Sequence, residues 1–298
     1  MIAARRILIL APHPDDELVA CGIAARRARE AGARVFVLYL TTGVPEPAAL
    51  WVWQRRHYRA QVGRRREEAE IASDLIGLET VGFRDTPSRQ LRGDLDSATA
   101  DVDAAIAASG AEALWVPAFE GGHQDHDAAN ALAAGFCRRL PVWEFAAYNF
   151  AGGQVRANRF PALLGGEVVI EASEAEARQK RQALACYRSE RGNLRHVGVA
   201  RETARRLPAH DYAAPPHAGR LFRERFHWVP FRHPRVDFAA SAEISRDIAA
   251  FVSTRPPALG QHPGDQPRQA DREFAGALDE AERQRGFRRQ PGDRGERD

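Results

Sequence analysis

The apolar residues of this chain fall into two alternating rhythms. Arg6-Ile7-Leu8-Ile9-Leu10-Ala11 is almost continuously apolar, which suits a strand covered on both faces, as in a parallel sheet. Residues 17–31 follow with helical spacing, and Gly32 stops them. Arg34-Val35-Phe36-Val37-Leu38-Tyr39-Leu40 is a second buried strand, so the first 40 residues predict a right-handed βαβ unit. The alternation continues with a helix over 63–76 ending at Gly77, a strand at 79–83, a helix at 95–109 and a strand at 113–117. An alanine-rich helix over 126–139, strands at 142–148 and 167–171, and a helix at 174–187 complete it. Such alternation predicts an α/β fold, a Rossmann-like doubly wound, mostly parallel sheet with helices on both faces.

Residues 41–62 interrupt the pattern with Pro45, Pro47, Trp51 and Trp53 and read as a long, partly helical excursion. From about 205 the rhythm weakens, although Phe222, Phe226, Trp228 and Phe231 argue for order over 219–238. Residues 255–298 are rich in Pro, Gly, Gln, Arg, Asp and Glu; that composition predicts a disordered tail with a short helix near 271–285. The expected organisation is one domain over 1–254, with a core at about 5–190 and an extension at 191–254.

Composition narrows the class. A chain of 298 residues that is 44% hydrophobic can bury a sizeable core. Lys180 is the sole lysine among 43 basic residues, and 40 acidic ones leave a formal charge of +3. A balance this even, without a single-sign block, argues against a nucleic-acid partner. Cys21, Cys137 and Cys186 lie far apart in no Cys-x-x-Cys spacing, which argues against a disulfide framework or a thiolate metal site. With no stretch long enough for a membrane span and no signal-peptide pattern, a cytoplasmic location is expected.

Two short segments carry chemistry. Pro12-His13-Pro14-Asp15-Asp16-Glu17 directly follows the first strand, at the carboxyl end where doubly wound sheets bind ligands. A histidine and several carboxylates within it can offer nitrogen and oxygen donors to a divalent ion. The plainer reading is a helix N-terminus capped by Asp15 or Asp16. Glu120-Gly121-Gly122-His123-Gln124-Asp125-His126 directly follows the 113–117 strand, and there too Asp125 could be a helix cap. If the sheet order is 3-2-1-4-5, both segments reach one crevice mouth, where three protein ligands and an open water position make a catalytic zinc pattern.

This pair of motifs resembles the LmbE-like family, also called the PIG-L family of N-acetylglucosaminyl deacetylases, over roughly residues 5–190. The resemblance implies a Rossmann-like fold and a zinc-bound water that attacks an N-acyl group, acetyl above all, on an amino-sugar-containing small molecule or glycoconjugate. It carries the metal ligands onto His13, Asp16 and His126, the general base onto Asp15, and the acid-acting or electrophilic histidine onto His123, steadied by Asp125. Iron, cobalt or manganese would also suit such a donor set. Arg65 or Arg66, with Glu67 or Glu68, is similar to the family's Arg-x-x-Glu helix start, whose arginine can face substrate. Lys180 to Ser189 resembles its Lys-x-x-Ala-x-x-x-Tyr-x-Ser segment, and Arg223-Glu224-Arg225-Phe226 its late Glu-containing strand.

Phe83-Arg84-Asp85-Thr86-Pro87-Ser88 departs from the family's Gly-Tyr-Pro-Asp-Gly-type loop, which puts the substrate in question. Residues 44–58 could form a lid, with Trp51 and Trp53 stacking on a sugar or covering a core edge. The other histidines (His57, His196, His210, His217, His227, His233 and His262) lack ligand-like spacing and are expected at the surface or in packing. Amidase action on a non-sugar or thiol-conjugate amide stays open, as does a non-catalytic module that keeps a metal. Retention of both Asp15 and His123 speaks against the latter. Whether the chain is a homo-oligomer is left open by the sequence.

Overall fold

The computed structural model describes residues 4–255. The expected tail, its helix near 271–285 and His262 lie outside the described residues, apart from Arg255. The chain runs β1 (Arg6–Ala11), α1 (Asp16–Glu30), β2 (Arg34–Tyr39), α2 (Val52–Arg55), α3 (Tyr58–Ile76), β3 (Glu79–Phe83), α4 (Leu95–Ser109), β4 (Ala113–Pro117) and α5 (Gln124–Ala134). It continues with β5 (Val142–Phe145), β6 (Tyr148–Asn149), β7 (Arg156–Ala157), β8 (Val168–Glu171), α6 (Glu174–Leu184), β9 (Arg201–Arg206) and α7 (Ser241–Ser253).

Seven strands form one sheet in the order β3-β2-β1-β4-β5-β9-β8. The first five are parallel; β9 is antiparallel to both β5 and β8. Alternate β1 side chains serve opposite faces, as the pleat requires. Ile7 and Ile9 pack with α1, α3 and α6, whereas Leu8 and Leu10 pack with α4, α5 and α7. The 3-2-1-4-5 order expected from sequence is thus present, extended by two antiparallel strands. No helix among the described residues is long and apolar enough to cross a membrane.

Several expectations change. The α3 helix starts at Tyr58 rather than near 63, and α5 begins at Gln124 and ends at Ala134. The strand expected over 142–148 stops at Phe145, and Tyr148–Asn149 pairs instead with Arg156–Ala157 in a separate ribbon. Arg223 to Phe226 is not a strand, since Phe222–Glu224 is a 3-10 turn. The late glutamate-bearing strand is β9, whose sequence Arg-Glu-Thr-Ala-Arg-Arg hides it from any hydrophobic pattern.

What allows so polar a strand into the sheet is pairing of its charges. Helix α1 breaks at Cys21 (φ −141°, ψ 21°), which orphans backbone groups on both sides. The carboxylate of Glu202 accepts from Ile23 N (2.8 Å) and Ala24 N (2.9 Å), capping the resumed helix. Val19 O accepts from Asn158 Nδ2 (2.9 Å) and from Lys180 Nζ (3.2 Å), and Lys180 also reaches Glu202 Oε1 at 2.7 Å. The chain's one lysine is therefore buried, mending a helix break behind the first loop. Further along β9, Arg205 pairs with buried Glu144 at 2.6 Å.

Replacing Lys180 by methionine leaves the Glu202 charge buried with its partner gone. Denaturant unfolding of Lys180→Met is expected to show a loss of about 3–5 kcal/mol. A loss below ~1 kcal/mol would mean that the pair does not hold the break.

Candidate active site

The first loop is shaped by an unusual backbone. Asp15 sits at the N-cap of α1 with φ 132° and ψ −22°, a conformation that costs a non-glycine residue energy and persists only when its surroundings enforce it. Its carboxylate makes no capping bond, so the plain cap reading does not hold. Arg65 enforces the turn, donating to Pro14 O (2.5 Å) and to Asp15 Oδ2 (3.2 Å). Glu17 does so from below: Oε2 accepts from Asp15 N (3.1 Å) and Oε1 from the Tyr187 hydroxyl (2.5 Å). Burial lifts Glu17 to about 8 against the pull of that tyrosine hydrogen bond. Burial also lifts Asp15 to about 6, opposed by the positive charge of Arg65.

The second loop meets the first because β1 and β4 are neighbours. Asp16 Oδ2 lies 3.0 Å from His13 Nδ1 and 3.1 Å from His126 Nε2. One donor atom from each of His13, Asp16 and His126 lies within 4.8 Å of the others, and all three residues are buried. Neither ring nitrogen of His126 has a hydrogen-bond partner among the described residues, its approach to Asp16 being misaligned for one. Buried nitrogens without hydrogen bonds are rare unless something else satisfies them. Nitrogen and carboxylate donors so grouped suit a divalent cation.

Asp125 lies behind His13. The ring Nε2 of His13 donates to Asp125 Oδ2 (3.0 Å), which also accepts from Arg89 N (2.6 Å) and Ser88 Oγ (3.3 Å), while Oδ1 accepts from Leu91 N (3.2 Å). A carboxylate behind a histidine fixes which ring nitrogen faces forward. This differs from the expectation that Asp125 steadies His123. Its carboxylate is 3.6 Å from His123 Nδ1, and it is the Asp125 backbone N–H that donates to that nitrogen (3.1 Å). His123, not Asp125, is therefore the cap of α5.

Charge in the pocket follows from these contacts. Burial disfavours a positive His13, but Asp125 and Asp16 outweigh it and raise the ring to about 10. Asp16, despite burial, is held well below the usual carboxylate range by His126 and His13. Asp125 falls to about 2 because its bond to His13 overcomes burial. Burial, then the nearby charge of His13, pushes His123 well below its ordinary value, so it stays neutral. The two carboxylates thus favour positive charge between them, whether proton or metal.

His13, Asp15, Asp16 and His123 open onto a cavity of about 890 Å³. Arg65 lines it, whereas Arg66 turns away to an exposed pair with Asp85 (2.6 Å). Arg65 and Glu68 are the buried members of the helix motif. Trp51 and Trp53 stack on each other, with Trp53 64% exposed, and neither lines the cavity; Val44, Leu50 and Gln54 of that stretch do. The Lys180 to Ser189 segment holds three carboxylates: Lys180 meets Glu202, Tyr187 meets Glu17, and Ser189 meets Glu68 (Oγ to Oε2, 2.5 Å).

Several lining residues were not expected from sequence. Ser88 and Arg89 come from the loop that departs from the family pattern, and Arg89 adopts φ 73° while presenting its N–H to Asp125. Tyr148 packs on His126 (5.3 Å between rings), which the lack of a side chain at Gly122 permits, since a Cβ there would lie 2.5 Å from Tyr148 O. His196 and His233, expected as surface or packing residues, also line the cavity, as do Phe222, Arg225 and Arg235.

Comparisons with known proteins bear on the family and the fold. Residues 8–137 match the PIG-L family model, described as GlcNAc-PI de-N-acetylase. The 2'-N-acetylparomamine deacetylase of Streptomyces fradiae is 31% identical over 140 residues, which cover 41% of this chain and 48% of that protein. The chain thus spans about half the length of that curated relative. A deacetylase of the teicoplanin biosynthesis pathway, solved as a bog complex, superposes with a TM-score of 0.55 at 23% identity over 67% of this chain and 96% of that one. The zinc-inhibited form of the teicoplanin deacetylase Orf2 gives 0.52 at 22% over 67% and 97%. At such identities the two structures speak for the fold. The match over residues 8–137 takes in both converging loops, so the part of the chain that builds the site is similar in sequence to the PIG-L family.

Proposed function

We propose that this protein is a divalent-metal-dependent hydrolase, zinc-dependent in the first instance, that removes an N-acetyl group from an amino-sugar-containing substrate. The observation that carries the reading is the meeting of His13, Asp16 and His126 within 4.8 Å, with Asp15 beside them and outside the triad. The Streptomyces fradiae relative, named for deacetylation of an amino sugar, supports the substrate class.

His13, Asp16 and His126 would hold the cation. When bound, it supplies a Lewis acid that polarises a carbonyl and makes water easier to deprotonate. Asp15 removes a proton from the attacking water as its oxygen bonds to the amide carbon, and returns a proton to the departing nitrogen. Arg65 keeps that carboxylate in place through its contacts to Pro14 O and Asp15 Oδ2. His123 acts as a neutral ring: with Nδ1 accepting from Asp125 N, Nε2 carries the proton and can donate to the developing oxyanion. This replaces the protonated His123 that an acid role would need. Asp125 positions His13, and the products are acetate and a free amine.

Two variants separate the roles. Asp15→Asn is expected to keep its bound metal while acetate release from N-acetyl amino sugars falls roughly 10²- to 10⁴-fold; full activity would overturn the base assignment. His126→Ala should lose both turnover and metal, measured as bound divalent ion per chain by elemental analysis. An unchanged metal content there would remove His126 from the ligand set.

A further inference from the structure

The cavity wall around the reacting groups carries more positive charge than its acids pair with. Among the acids that line it, Asp16 is held between histidines, Asp15 and Glu190 both meet Arg65 (3.2 and 3.1 Å), and Asp237 accepts from Gln124 (2.6 Å). Arg223 is taken up by Asp127 at 2.5 Å. Arg64, Arg225 and Arg235 also line the cavity with no ion pair among the described residues, and Arg89, which lines it too, lies near the charges of Asp237 and Asp125.

Two of these guanidinium groups are held in place by contacts other than a direct ion pair. Arg225 lies 3.2 Å over the ring of Phe222 and 5.1 Å from that of Phe226, and the only hydrogen bond of its guanidinium among the described residues runs from Nε to Phe222 O (3.0 Å). Arg89 is fixed by the carbonyls of Pro234 (2.8 Å) and Val236 (3.3 Å), leaving its buried Nε unpartnered. The site is close to the chemistry: Phe222 packs on Tyr148 (4.5 Å between rings), and Tyr148 on His126 (5.3 Å). Arginine forks held ahead of binding match carboxylate and phosphate oxygens, and a cavity of about 890 Å³ suits a small molecule rather than a macromolecule.

We propose that Arg225 and Arg235, backed by Arg89 and Arg64, bind an anionic group, a carboxylate or a phosphate, on the part of the substrate remote from the amide. This rests on the cavity being the substrate site of the proposed deacetylase. A neutral amino sugar would leave Arg64, Arg225 and Arg235 without a counter-charge, whereas an anionic one pairs with them and is drawn in by their field.

Calorimetric titration of the full chain with glucosamine, glucosamine 6-phosphate, muramic acid and inorganic phosphate tests this without turnover. Glucosamine 6-phosphate, muramic acid or both should bind at least about tenfold tighter than glucosamine, the better of the two identifying the anion. The advantage should shrink to about onefold in Arg225→Gln/Arg235→Gln and be kept only in part in Arg225→Lys/Arg235→Lys, which preserves the charge but not the fork. If the glutamine pair melts early, Arg235→Gln alone, at an exposed side chain, must still lower the advantage about threefold. Equal binding of neutral and anionic sugars overturns the proposal, as does an advantage that survives the glutamine substitutions. Inorganic phosphate binding as tightly as the sugar phosphate overturns it too. Acetate release from N-acetylglucosamine is followed separately. Anion preference with no acetate release strikes the proposed function and leaves this site standing; release without anion preference does the reverse.

Discussion

Everything at the site depends on β1 lying parallel and directly beside β4. The register Ile7↔Ala113, Leu8↔Leu114, Ile9↔Trp115 sets the two strands level, so the loops leaving their carboxyl ends start side by side. Residues more than 100 positions apart in the chain, His13 and Asp125, then come to 3.0 Å. Neither loop holds a complete donor set; the sheet supplies the missing half to each. The pairing is secured by burial of alternate β1 side chains on both faces, so a one-residue slip would turn each to the wrong side.

A second layer of support is electrostatic. Asp15, Asp16, Glu17, Glu68, Glu120, Glu144 and Glu202 are all buried, and each is met by a partner chosen from a different element. Glu120, for example, accepts from Ala147 N, Tyr148 N and Asn149 Nδ2, fixing the turn that presents Tyr148. Burial of so many carboxylates is tolerable only when their oxygens are satisfied. The satisfied network in turn leaves the strained Asp15 backbone no room to relax.

How much of this was legible in the sequence follows from which forces shape each part. The parallel half, β1 through β5, is built by apolar burial, and apolar burial leaves a periodic trace. The β9 strand is built by ion pairs and by capping a broken helix, so its sequence reads as loop. Helix α7 buries Ile244, Ile248 and Phe251, a helical spacing obscured by the fading pattern around it. The meeting of the two loops could be foreseen because they follow adjacent strands, whereas the choice of His13, Asp16 and His126 within them came from the resemblance to a family. The partner of Asp125 could not, since whether it faces His13 or His123 depends on side-chain direction within 1 Å. Tyr148, His196 and Arg225 carry no motif; they reach the cavity only through tertiary packing.

The region matching the family ends at residue 137, yet much of the chamber's far wall, from Tyr148 to Val236, comes later in the chain. The grouped donors and most of that far wall therefore lie in separate stretches of polypeptide, although Arg64 and Arg89 of the lining belong to the earlier one. Substitutions in the later stretch can reshape the chamber while the grouped side chains of His13, Asp16 and His126 in the earlier one stay in place.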